Sequence, residues 1–175
     1  MKITELKKHL NKESNEDLVK HIVELFKKNE FVKDYYNLKY DNEHGSALLS
    51  KHKELIRNEF FPNRGFGKAR LSVAKKSISE FKKLSSDNVH VADIMLYYVE
   101  MGVEFTNSYG DIDEDFYMSM EGMFEQVVKF VVKEDIVSQF IDRCYDVVSD
   151  TNGIGWGFHD QLRAIYEDYF NEGYA

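Results

Sequence analysis

Apolar residues recur along this chain at the three- and four-residue spacing of amphipathic helices. Ser14 with Asp17 three residues later resembles a capping box, and Leu18, Ile22, Leu25 and Phe26 follow on one helical face. Residues 31–40, FVKDYYNLKY, read as a short aromatic helix. His44 to Phe61 is a further amphipathic stretch with Leu48, Leu55 and Ile56 inward, and Pro62 stops it, because proline disfavours the α conformation in the residue before it. After the break PNRGFGKAR, Leu71, Ala74, Ile78 and Phe81 form the stripe of the next helix. Val89 to Phe105 predicts a long, mostly apolar helix, and Asp111 with Glu114 marks another start. Residues 113–133 and 136–149 predict two helices broken near Lys133 to Asp135, since one helix across both would be unusually long. The last helix carries Phe158, Leu162, Ile165 and Tyr169 on one side.

No strand-like alternation and no fixed-period repeat stands out, so the predicted class is all-α. About eight helices in antiparallel pairs would close into a compact bundle or open into a short curved superhelix. The 175 residues suit one helical domain, 1–175, with 62–67 as the place where an internal hinge would fall. A chain of this size buries enough surface to hold a core without disulfides or metal.

Composition and charge narrow the setting. Cys144 is the single cysteine and sits among apolar neighbours, so no intrachain disulfide is possible and an inert core thiol is expected. Charges throughout the first twenty residues leave no signal-peptide core, and no apolar run approaches the ~20 residues of a membrane span. A cytoplasmic protein with no membrane association is the expectation. The net charge of −8 is unevenly placed: residues 1–86 carry 19 Lys and Arg against 12 acids, residues 87–175 only 4 against 19. Either the two halves face each other, or an exposed dipole binds an anion or self-associates. The acidic pI of about 5.3 disfavours nucleic acid as partner.

The segment Pro62 to Arg70 is the first site candidate. Gly65 and Gly67 flank Phe66 and permit close backbone approach, Lys68 is expected at a helix start, and Arg64, Lys68 and Arg70 would add charge-assisted contacts to an anion. This is not a Walker A loop, because one residue separates the glycines and Ala69 follows the lysine. Lys68, Lys75, Lys76, Lys82 and Lys83 fall within an arc of about 120° opposite the apolar stripe. The plain alternative is a turn with Phe66 docked in the core and a solvated lysine face.

Three further constellations offer chemistry. His90, Asp93, Tyr97, Glu100 and Glu104 fall within about 80° on one helix face, so His90, Asp93 and Glu100 are metal-ligand candidates if a second helix completes the set. The Glu-x-x-His signature of ferritin-like sites is absent, and the plain alternative is the wet face of an ordinary amphipathic helix, with Glu100 and Glu104 pairing with lysines of the basic half. Asp111, Asp113 and Asp115 match the opening of a calcium loop, but Phe116 and Gly122 occupy positions that need Gly and Glu, so a capped helix start is the better account. TNGIGWGFHD, Thr151 to Asp160, gathers three glycines with Trp156, His159 and Asp160 as a candidate ligand rim, the alternative being a tight turn plugged by Trp156. No nucleophile accompanies His159 in a recognisable motif.

MKITELKKHL, FFPNRGFGKARLSVAKK and GIGWGFHDQLRAIYEDYF together resemble a family of small bacterial cytosolic proteins, domain-of-unknown-function family 6155, over nearly the whole chain. That resemblance implies a compact helical domain and supplies no activity, cofactor or catalytic residue. It singles out the two glycine-bearing loops, which favours a shared site there. The leading functional expectation is a non-enzymatic helical interaction or regulatory module with a protein partner or self-association, no cofactor and no catalytic residue. The alternatives are an anion-binding module taking a nucleotide, a phosphometabolite or an RNA backbone at the Pro62–Arg70 loop, and a metal-dependent enzyme.

Overall fold

A computed structural model describes residues 1–41 and 43–170. Among these residues there are nine α-helices, one 3-10 turn at Val137–Gln139 and no strand, so the protein is all-α. The helices are α1 (Ile3–Leu10), α2 (Asn15–Lys28), α3 (Glu30–Tyr40), α4 (His44–Phe60), α5 (Leu71–Leu84), α6 (Asn88–Tyr109), α7 (Glu114–Lys133), α8 (Ile141–Asp150) and α9 (Phe158–Phe170). None is long and apolar enough to cross a membrane.

The chain divides into two compact units, Met1–His44 and a second that starts at Gly45. Residues 62–67, where the sequence suggests a hinge, lie inside the second unit. Ala69 N–H donates to the Glu59 carbonyl at 2.8 Å, and a Cβ on Gly67 would lie 1.8 Å from the Phe60 oxygen.

In the first unit α2 packs against α3. Ser14 caps α2 by accepting from Asp17 N–H at 3.1 Å, and Asn29 caps α3 by accepting from Val32 N–H. The unit has almost no interior: α1 and α2 bury no residue, and α3 buries Asp34 alone.

The second unit holds the core. Helix α6 is its axis, with α5, α7 and α8 packed around it and α9 against α7 and α8. Its Ile94, Leu96, Tyr98 and Val99 are wholly buried. Phe60 at the end of α4 meets Tyr98, Phe105 and Phe116 edge-on, with ring centroids 5.8–6.4 Å apart. Edge-to-face contacts of this kind add to what burial alone supplies.

Three boundaries and one facing residue differ from the sequence reading. Helix α5 starts at Leu71, so Lys68 precedes it by a full turn, and Arg70 at the N-cap makes no side-chain cap. Asp113 caps α7 by accepting from Phe116 N–H at 2.9 Å, while Asp111 accepts instead from the Tyr117 hydroxyl at 3.0 Å. The segment 136–149 splits into the 3-10 turn and α8. Leu55, expected inward, is 50% exposed, because its neighbour Ile56 takes the core position on that turn of α4.

Candidate functional site

The Pro62–Arg70 loop is shaped by Glu59. Arg70 Nε and Nη2 donate to the two Glu59 carboxylate oxygens at 2.8 and 2.7 Å, a bidentate pair. The hydrogen bond from Arg70 is the chief reason the Glu59 carboxyl lies below its ordinary value, with burial opposing it. Arg70 is therefore neutralised and does not face an incoming anion. Arg64 and Lys68 are exposed and form no ion pair among the described residues. Gly65 takes the left-handed conformation at φ 78°, and Gly67 is required by its contact with Phe60. Phe66 is 84% exposed rather than docked in the core, with its ring edge toward Tyr109. Of the five residues proposed for an anion, then, two cations remain available and one is committed.

The His90 stripe has become a charge lock between helices. Arg143 on α8 donates to both Glu100 oxygens and, through Nη1, to Asp93 at 2.7 Å. Lys53 on α4 donates to the other Asp93 oxygen at 2.7 Å and lies 5.0 Å from the centre of the Tyr97 ring. Burial pushes the Asp93 carboxyl up, but the bonds from Lys53 and Arg143 and their charges together hold it below its ordinary value. His90 sits apart, near Asp87 at 3.5 Å. The carboxylate lone pairs a metal would need are thus turned to cations. Among the described residues no group of three His, Cys, Asp or Glu side chains is placed to hold an ion. His90, Asp93 and Glu100 do not form a ligand set. Glu100 also finds its partner in the acidic half, on Arg143, and not on a lysine of the basic half.

The C-terminal loop yields a cleft, though not the one its three marked residues suggest. Trp156 is 63% exposed at φ 62°, so it plugs nothing, and Asp160 is exposed. His159 lines a cleft of about 570 Å³ between α8 and α9, with Tyr145, Ser149, Arg163, Tyr166 and Glu167. Thr151 donates its hydroxyl hydrogen to the Val148 carbonyl at 2.6 Å. His159 Nδ1 lies 3.0 Å from that hydroxyl oxygen and 3.2 Å from the same carbonyl. Both oxygens offer lone pairs, so Nδ1 carries the hydrogen that it donates to them. The cleft's cation is already engaged, Arg163 Nε donating to Glu167 at 2.8 Å.

Sequence reasoning did not foresee an open apolar surface on α2 and α3. Val19, Ile22, Val23 and Leu25 of α2 and Phe31, Tyr35 and Tyr40 of α3 are all exposed. They border two apolar grooves of about 330 and 580 Å³ that share Ile22 and Tyr36. The signal was present as the stripe Leu18, Ile22, Leu25, Phe26, but periodicity says that a face is apolar and not whether anything covers it.

A family model described as a family of unknown function (DUF6155) matches residues 1–170. No curated protein and no solved structure matches the chain.

Proposed function

The chain belongs to the DUF6155 family of unknown function, and on that premise, which assigns no activity, we propose that it is a non-catalytic helical interaction module that self-associates through α2 and α3. The open apolar face of these two helices carries the reading. An amphipathic helix pair that leaves most of its apolar stripe exposed gains little from folding alone and is completed by a partner that covers it.

A second copy fits this face by its apolar stripe. Glu16 and Asp17 stand at the start of α2, and Lys27 and Lys28 at its end, with Val19, Ile22 and Leu25 between. A two-fold axis at Ile22 sets two α2 helices antiparallel. It lays the exposed Val19, Ile22, Val23 and Leu25 of one copy on those of the other, around a shared apolar centre.

Sedimentation velocity over a range of concentrations tests this. The wild-type chain is expected to dimerise, and the exposed substitutions Ile22→Glu with Val23→Glu to give a monomer of unchanged helicity. A wild-type chain that stays monomeric at the highest concentration, or a dimer that survives Ile22→Glu with Val23→Glu, would overturn the proposal.

A further inference from the structure

The row of lysines on α5 lies beside α6 and α7 but, among the described residues, pairs with none of their carboxylates. Lys75, Ile78, Ser79 and Lys82 follow one another at the spacing of a single helix face. Together with Lys83 they line a cleft of about 320 Å³ whose other walls are Met95 of α6 and Met123 and Gln126 of α7. No carboxylate lines this cleft. Among the described residues neither Lys75, Lys82 nor Lys83 forms an ion pair. Lys82 Nζ instead lies 3.7 Å from the Met95 sulfur, a weak acceptor.

One of these lysines is positioned rather than loose. Lys75 Nζ donates to Ser119 Oγ at 3.0 Å, and that oxygen lies 2.9 Å from the hydroxyl of Tyr98, whose side chain is fully buried in the core. The buried phenol fixes Ser119 on α7, and Ser119 fixes the ammonium group at the cleft edge. The floor is apolar, since Ile78, Met95 and Met123 are buried. Methionine side chains adapt their shape to what lies on them.

We propose that this cleft binds a small organic phosphate, its phosphoryl group held by Lys75, Lys82 and Lys83 and its apolar part lying on Met95 and Met123. Three like charges around one small cleft, in a chain of net charge −8, repel one another until an anion enters. The volume fits a metabolite-sized ligand at the lower end of the range for such sites. The site is distinct from the Pro62–Arg70 loop and stands independently of the self-association proposed above.

Phenyl phosphate is the probe, titrated into the full-length protein and followed by methionine-methyl NMR. A saturable shift of the Met95 and Met123 methyl signals is expected, larger than with inorganic phosphate and weaker as salt rises. Lys75→Gln with Lys82→Gln and Lys83→Gln should weaken binding at least about tenfold, the loss of one or more charge-assisted bonds. These lysines are exposed, so the variant should keep its circular dichroism, and the corresponding three Lys→Arg substitutions should retain binding. Arg64→Ala with Lys68→Ala should leave the titration unchanged. Absence of saturation at about 10 mM probe, or binding lost with Arg64 and Lys68 but kept without the three α5 lysines, would overturn the assignment.

Discussion

Arg143 grips Glu100 with the edge of its guanidinium, Nε reaching one carboxylate oxygen and Nη2 the other, each at 2.9 Å. Its third nitrogen reaches Asp93, which Lys53 holds from the opposite side. One arginine thus ties α8 to α6, and Asp93 extends the tie to α4. Arg143→Ala leaves two half-buried carboxylates on one face of α6 without their shared cation. A loss of about 1–3 kcal/mol is expected, discounted because the arginine keeps some contact with water. Arg143→Lys keeps the charge but not the planar fork, and should lose about half as much. Urea denaturation midpoints at neutral pH measure both.

Two depressed carboxyls set the acid limb of stability. Glu59 is held down mainly by the hydrogen bond from Arg70. Asp93 is pushed up by burial but held lower still by Lys53 and Arg143. With the folded pKa below the unfolded one, the unfolded chain binds more protons in the interval between them. The stabilisation is complete above the ordinary carboxylate values and fades as pH falls through the folded ones. Asp93→Asn and Glu59→Gln should each lower stability at neutral pH and flatten its decline below about pH 5. Denaturation midpoints followed from neutral pH into this range give the slopes, and an unaltered slope in both variants would remove this account.

Gly65 and Gly67 lie in one loop and should fail differently. At Gly65 a methyl group meets nothing within 4 Å, but φ is 78°, so Gly65→Ala should cost about 1 kcal/mol and Gly65→Asn less. At Gly67 a Cβ would sit 1.8 Å from the Phe60 carbonyl oxygen, so the loop must leave α4 to admit it. Gly67→Ala should cost at least about 2 kcal/mol. Thermal unfolding of the two alanine variants separates strain from collision.

Cys144 should resist thiol reagents. Burial pushes its thiol up to about 12, with the nearby Arg143 charge only partly offsetting this. The thiolate is the reactive species and the residue is fully buried. Reaction with iodoacetamide near pH 8 should be slower by at least about a hundredfold in the folded protein than in urea. Comparable rates would mean that α8 opens readily.

The local features were legible in the chain. The spacing of apolar residues placed the helices, because a helix face is a property of neighbours three and four positions apart. Ser14, Pro62 and the break after Lys133 mark real boundaries, since caps and breakers act within one turn. The three segments that resemble the family lie within the residues its model matches.

Which polar groups meet was decided only by tertiary structure. Arg70 and Arg143 look alike as isolated cations, yet Glu59 takes one and Glu100 with Asp93 the other, from 11 to 50 positions away in the chain. The same folding left Lys75, Lys82 and Lys83 without a carboxylate, although 19 acids follow them in the second half. Coulomb attraction falls with distance in space and takes no account of separation along the chain. A single sequence therefore determines which faces are apolar or charged, and the packing of the helices determines which charges are cancelled and which are left unpaired.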